Sequence, residues 1–77
     1  MLAESIKILD TDSAYIINVK KEYNHICSEI VRLEEFFATE ELQALPRSSR
    51  FILMDQLHYM RSYRSMLKLR LGILDPK

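Results

Sequence analysis

Glycine occurs once in this chain, at Gly72, and proline twice, at Pro46 and Pro76. So few breakers exclude a fold built on tight turns, and there is no glycine-rich loop to cradle a phosphate. Cysteine also occurs once, so Cys27 has no partner for an internal disulfide. An unpaired thiol fits a reducing cytosol, and a cytoplasmic location is expected. With His25 and His58, Cys27 falls one ligand short of a structural zinc site, and no metal is expected. No apolar run approaches the roughly 18 residues of a membrane span. Residues 1–10 carry Glu4 and no long apolar stretch, which excludes a secretory signal there.

What the chain does contain is helix-forming material. It has 77 residues, 48% of them hydrophobic, and Leu, Ile, Met, Glu, Lys and Arg dominate. A chain this short buries only roughly 60% of the surface it exposes when unfolded. Such chains usually need disulfides, a metal or a partner chain. With the first two excluded, oligomerisation is the remedy that remains.

The formal net charge of zero conceals a division. Residues 1–46 hold four basic and nine acidic side chains, and residues 47–77 hold seven basic and two acidic. The plain reading is charge complementarity between two antiparallel helices. The sharper reading is that some arginines face an anionic ligand.

Residues 1–12 read as a lead-in, with Ile6, Ile8 and Leu9 giving it apolar character. Thr11, Asp12 and Ser13 offer N-cap oxygens, so a helix is expected over 13–38. Within it Ile16, Val19, Tyr23, Ile26, Ile30, Leu33 and Phe37 follow a 3-4 spacing, an a/d seam held for three heptads. Residues 39–48 form a connection, in which Thr39-Glu40-Glu41 can start a helical turn and Pro46 keeps Leu45 out of helix. Ser48 or Ser49 then caps a second helix over 49–71, which stops at Gly72, with a tail over 72–77.

In the second helix Leu53, Leu57, Met60, Leu67, Leu71 and Leu74 hold the seam, with Arg64 in its one polar position. Ile52, Gln56, Tyr59, Tyr63, Met66 and Arg70 form a second stripe beside it. Together these exceed the ~100° apolar face that meets a single partner, so the second stripe should face another chain. The expected fold is all-α: a short N-terminal segment, then an antiparallel two-helix hairpin that assembles into a homo-oligomer.

Catalytic constellations are missing. Cys27 and His25 are two residues apart, which does not bring them together on a helix. Glu34-Glu35 and Glu40-Glu41 are adjacent and face different ways, so they read as solvated. Cys27 reads as a small packing residue and His58 as a surface or interface residue. What remains is Arg61, Arg64, Lys68 and Arg70 interleaved with Tyr59 and Tyr63. Guanidinium forks match phosphate oxygens and tyrosine rings offer flat faces for bases, although Arg–Glu pairs and core tyrosines are the ordinary use of both. The modest basic excess argues against long duplex nucleic acid.

Two strings carry a resemblance. The first helix offers Tyr15, Val19, Glu22, Ile26, Ile30, Leu33 and Phe36, and the second offers Gln56, Met60, Tyr63, Leu67, Arg70 and Leu71. Over about residues 15–71 the chain resembles the phage helical-hairpin family whose members include the second type of anti-CBASS protein. A similar hairpin forms part of one class of anti-Thoeris sponge. The resemblance implies a homohexamer acting in the host cytoplasm as a sponge for immune evasion. It would sequester cyclic dinucleotide and trinucleotide messengers without cleaving them and without a cofactor. In the family, dinucleotides stack on an aromatic ring between protomers, with a basic residue on phosphate, and trinucleotides sit where arginines converge near a three-fold axis. Tyr15 matches the aromatic position and Arg70 the arginine. The family's lysine near Glu29 or Ile30 is missing, so Lys20, Lys21 or Arg32 would have to replace it, or the dinucleotide site is altered. The candidate ligand-binding set is therefore Tyr15, Lys20, Lys21, Arg61, Arg64 and Arg70. The competing reading is a structural or protein-binding hairpin adaptor of a phage.

Overall fold

A computed structural model describes residues 5–72. Residues 1–4 of the expected lead-in and 73–77 of the tail, with Leu74 of the expected seam, lie outside the described residues. The described residues form three helices and no strand: α1 Ala14–Phe37, α2 Glu40–Gln43 and α3 Arg47–Leu71. The two long helices run antiparallel and make the hairpin.

Local chemistry sets the ends. The Ser13 side chain accepts a hydrogen bond from the Ile16 N–H at 3.2 Å while its own backbone is extended, so α1 starts at Ala14. Thr39 Oγ1 donates to the Phe36 carbonyl at 2.7 Å and ties off the last turn. The single turn of α2 carries Glu40 and Glu41 at its start, where a helix favours negative charge, and buries Leu42. At the far end of α3, Gly72 adopts φ +69° and returns its N–H to the last carbonyls. Lys68 and Arg70 lie in that last turn, on the side favoured by the dipole.

The start of α3 differs from the sequence expectation. It begins at Arg47, and Pro46 holds the cap position without any side-chain bond. The Pro46 carbonyl accepts from the Arg50 N–H at 3.1 Å, so the first helical bond is already made before the serines are reached. Ser48 and Ser49 therefore fall inside the first turn and do not cap it.

The core is thin. Val19, Tyr23, Cys27 and Leu67 form its centre, with Ile6, Ile26 and Leu71 packed against them; Ile30, Leu57 and Leu42 are also buried. On α1 the buried line is Val19, Tyr23, Cys27 and Ile30; Cys27 is the packing residue expected, and Ile26 beside it is half-buried. On α3 the seam residues Leu53, Leu57, Met60, Arg64, Leu67 and Leu71 are all at least half-buried. The neighbouring stripe is open: Ile52, Tyr59, Tyr63 and Met66 are exposed, as are Phe51, Met54 and Leu69 elsewhere on the helix. The principal extents of 47 × 24 × 18 Å leave room for two helices side by side and no third layer over that stripe.

The lead-in lies along α1 and is fastened to it. Asn24 Oδ1 accepts from the Ile6 N–H at 2.7 Å, and Asn24 Nδ2 donates to the Ile6 carbonyl at 2.9 Å. Lys20 Nζ reaches the Lys7 carbonyl at 3.0 Å and the Asp12 carboxylate at 2.7 Å. Asp12 also accepts from the Leu9 N–H at 2.8 Å. The Lys20 bond, then the Leu9 bond, holds the Asp12 carboxyl below its ordinary range.

Candidate functional site

Antiparallel packing brings the first turn of α1 beside the last turn of α3. Tyr15, the second residue of α1, points out of the hairpin and is half exposed. Arg70 meets it there. Arg70 Nε donates to Tyr15 Oη at 3.2 Å, and the guanidinium carbon lies 5.7 Å from the centre of the tyrosine ring. A cation at that distance over an aromatic face is attracted by the ring quadrupole.

Two turns further in, the same register makes a second pair. Seven residues forward on α1 is Glu22, and seven back on α3 is Tyr63. Tyr63 donates its phenolic proton to the Glu22 carboxylate. That bond, with some loss of solvent and the negative charge of Glu22, holds the Tyr63 hydroxyl above its ordinary pKa, and Arg70 opposes the shift. Arg70 is pushed upward too, first by its bond to Tyr15 and also by the field of Glu22. Arg70 thus feels both pairs, and the four side chains form one exposed cluster of two rings, a cation and an anion.

Tyr63 also belongs to a shallow apolar groove of about 450 Å³ lined by Ile26, Ile52, Asp55, Gln56, Tyr59 and Met60. The exposed stripe of α3 and the polar cluster at its end are therefore continuous.

The other sequence candidates are dispersed. Lys20 has only 13% of its side chain exposed and is committed to Asp12 and the lead-in. Arg61 pairs with Glu34 across the hairpin at 2.6 Å, so this arginine realises the charge complementarity of the two halves. Arg64 is half-buried at the seam and Lys21 is exposed; neither makes an ion pair among the described residues. Arg32 pairs with Glu29 within α1 at 3.1 Å. Within one protomer, then, Tyr15 and Arg70 are brought together and the other four are not.

Glu22 and Tyr63 were missed as site residues, although both stand in the strings that carry the family resemblance. Their seven-residue spacing from Tyr15 and Arg70 was the available signal. Among the described residues no group of three or more His, Cys, Asp and Glu converges on a metal position, and no helix is long and apolar enough to cross a membrane.

A family model described as Sequestin matches residues 13–73. The chain belongs to the Sequestin family. The match runs from the cap of α1 to just beyond Gly72, so it takes in both long helices and their connection and leaves out the lead-in. No curated protein and no solved structure matches the chain. The family's name is one of sequestration.

Proposed function

We propose that this Sequestin member is a phage immune-evasion sponge that sequesters cyclic di- and/or trinucleotides in the host cytoplasm. It binds these messengers and does not cleave them. The observation that carries the reading is the guanidinium of Arg70 set over the ring of Tyr15 on an open face. Phosphate needs a charge-assisted donor and a base needs a flat surface, and this cluster offers both within one contact. The exposed stripe from Ile52 through Tyr59 and Tyr63 to Met66 supports assembly into a homohexamer, in which each Arg70 is repeated around the symmetry axes. Binding without hydrolysis is the reading supported by the one carboxylate of the cluster being engaged by Tyr63.

A thermal-shift panel of cyclic di- and trinucleotides tests the reading. A ligand that binds only the folded state raises its melting temperature, and heat release followed by chromatography should return that ligand intact. A panel without any shift overturns sequestration. Linearised product that depends on the protein overturns the non-enzymatic reading. The alternative, a hairpin adaptor for another protein, draws on the exposed stripe alone and leaves the Tyr15–Arg70 contact without a use.

A further inference from the structure

The lead-in holds up an apolar tip that its own hairpin does not cover. Both ends of the segment are fastened: Asn24 holds the Ile6 backbone through two hydrogen bonds, and Lys20 holds the Lys7 carbonyl and the Asp12 carboxylate. Between these anchors the chain turns, with the Asp12 N–H donating to the Leu9 carbonyl at 3.1 Å and the Leu9 N–H to the Asp12 carboxylate. Ile8 and Leu9 are left 37% and 45% exposed. Asp10 beside them is exposed and makes no ion pair among the described residues. A segment fastened in this way is already ordered, so a contact made by its tip costs little further entropy.

The opposite end of the hairpin carries the complement. Phe37, Leu42, Phe51 and Met54 line a groove of about 280 Å³, and Phe51 and Met54 are more than half exposed. The charged residues of its lining are Arg47 and Arg50. Neither makes an ion pair among the described residues, and Arg50 donates only to the Gln43 side-chain oxygen at 3.2 Å. We infer that the Ile8–Leu9–Asp10 tip of one copy docks in this groove of a second copy, with its apolar side chains against Phe51 and Met54 and Asp10 beside Arg47 and Arg50. One chain cannot make the contact with itself, because the 24 residues of α1 separate the two ends by roughly 36 Å. The contact is head-to-tail, and it closes a ring where its rotation allows. It is thus a different contact from self-complementary packing of the α3 stripe, and a hexamer made of two three-membered rings needs one of each kind. The tip precedes the family match and the groove lies away from the Tyr15–Arg70 cluster, so the inference goes beyond sequestration and fails or stands apart from it.

Oxidative cross-linking of the full chain at low micromolar concentration tests the contact. Leu9→Cys with Phe51→Cys in one chain should give covalent multimers, because a disulfide forms only where the two Cα atoms come within about 7 Å. Either substitution alone should leave single chains, since Cys27 is buried and a head-to-tail contact does not bring identical positions together. Adding Asp10→Lys to the double-cysteine chain should slow cross-linking by about fivefold, the upper worth of an exposed ion pair. Adding Arg47→Glu with Arg50→Glu as well should recover most of the rate, and melting temperatures confirm that every variant is folded. Single chains from the double-cysteine variant, or multimers equally abundant from either single substitution, overturn the docking. An unslowed reaction with Asp10→Lys overturns the pairing of Asp10 with the arginines.

Discussion

The Asn24 side chain clasps the backbone of Ile6 from both sides, accepting its N–H at 2.7 Å and donating to its carbonyl at 2.9 Å. An asparagine amide has the same donor and acceptor pair as a peptide group, so Asn24 lets the extended lead-in satisfy one residue without a neighbouring strand. The clasp also sets Ile6 against the core of Val19, Tyr23, Cys27 and Leu67. Asn24→Ala removes both bonds. At about 0.5–1.5 kcal/mol for each bond, it should destabilise the protein by roughly 1–3 kcal/mol. Asn24→Asp keeps the acceptor, loses the donor and should fall between. Urea denaturation of the three proteins checks the order, and an unchanged midpoint for Asn24→Ala would show that the lead-in adds nothing to stability.

Leu67 and Leu69 are two residues apart on α3 and face opposite environments. Leu67 is completely buried, whereas Leu69 is 57% exposed. Leu67→Ala should cost about 2–5 kcal/mol, because the cavity cannot collapse between two helices that share so small a core. Leu69→Ala should change stability by no more than about 0.5 kcal/mol. Denaturation midpoints with equal slopes would give both values directly.

Most of the hairpin could be read in the sequence, because one-faced burial leaves a periodic trace. Ser13 as a cap, Gly72 as a stop, the α3 seam through Arg64 and the open stripe from Ile52 to Met66 all follow from residue type and spacing. Cys27 as a small packing residue was legible too, whereas its burial ahead of Ile26 goes beyond the 3-4 spacing. The Asn24 clasp also left no trace, because one amide meeting a backbone 18 residues away has no periodicity. At the site, Tyr15 and Arg70 came from resemblance, whereas Lys20 and Arg61 are drawn off by Asp12 and Glu34. Sequence shows where a charge lies along the chain, but the antiparallel register decides which opposite charge reaches it first.

Proton linkage gives a sign on each side of neutrality. Tyr63 has a folded pKa raised above its ordinary value of 10.0, chiefly by its hydrogen bond to Glu22. Its contribution is fully present below that ordinary value and is lost as pH rises through the raised one. Asp12 is the reverse: its folded pKa lies below 3.8, so its contribution is present above 3.8 and is lost as pH falls through the lowered value. Melting temperature against pH should therefore fall more gently for Tyr63→Phe than for wild type on the alkaline side. Asp12→Asn should flatten the acid side. Parallel alkaline curves for wild type and Tyr63→Phe would remove the Glu22 bond as a source of stability.

Assembly is testable apart from ligand binding. Tyr59 is 70% exposed and Met66 is 56% exposed, and both lie on the open stripe of α3. Light scattering at low micromolar concentration should give a mass several times that of one chain. Glutamate at both positions, Tyr59→Glu with Met66→Glu, should lower that mass by placing charges in an apolar contact. A monomer mass for wild type would defeat the hexamer, and with it any site that needs several copies of Arg70.

Tyr15 and Arg70 touch each other, so their roles in the proposed sponge separate only by ligand class. Arg70→Ala removes one guanidinium per protomer, and in a symmetric assembly it strips a shared site of every copy at once. It should abolish detectable binding of cyclic trinucleotides. Tyr15→Ala removes a stacking surface worth about 1–3 kcal/mol per base and should weaken cyclic dinucleotides by that amount. Trinucleotide binding should survive in Tyr15→Ala, because Arg70 keeps its charge and loses only the ring beneath it. Both side chains are exposed, so both variants should fold and assemble as wild type does. Calorimetric titration of each variant with each ligand class gives four results that must agree. Normal trinucleotide binding by Arg70→Ala would end the assignment of Arg70 to phosphate. Equal losses of both ligand classes in both variants would instead mean that Tyr15 and Arg70 serve a single pocket, with the cation–ring contact as its floor.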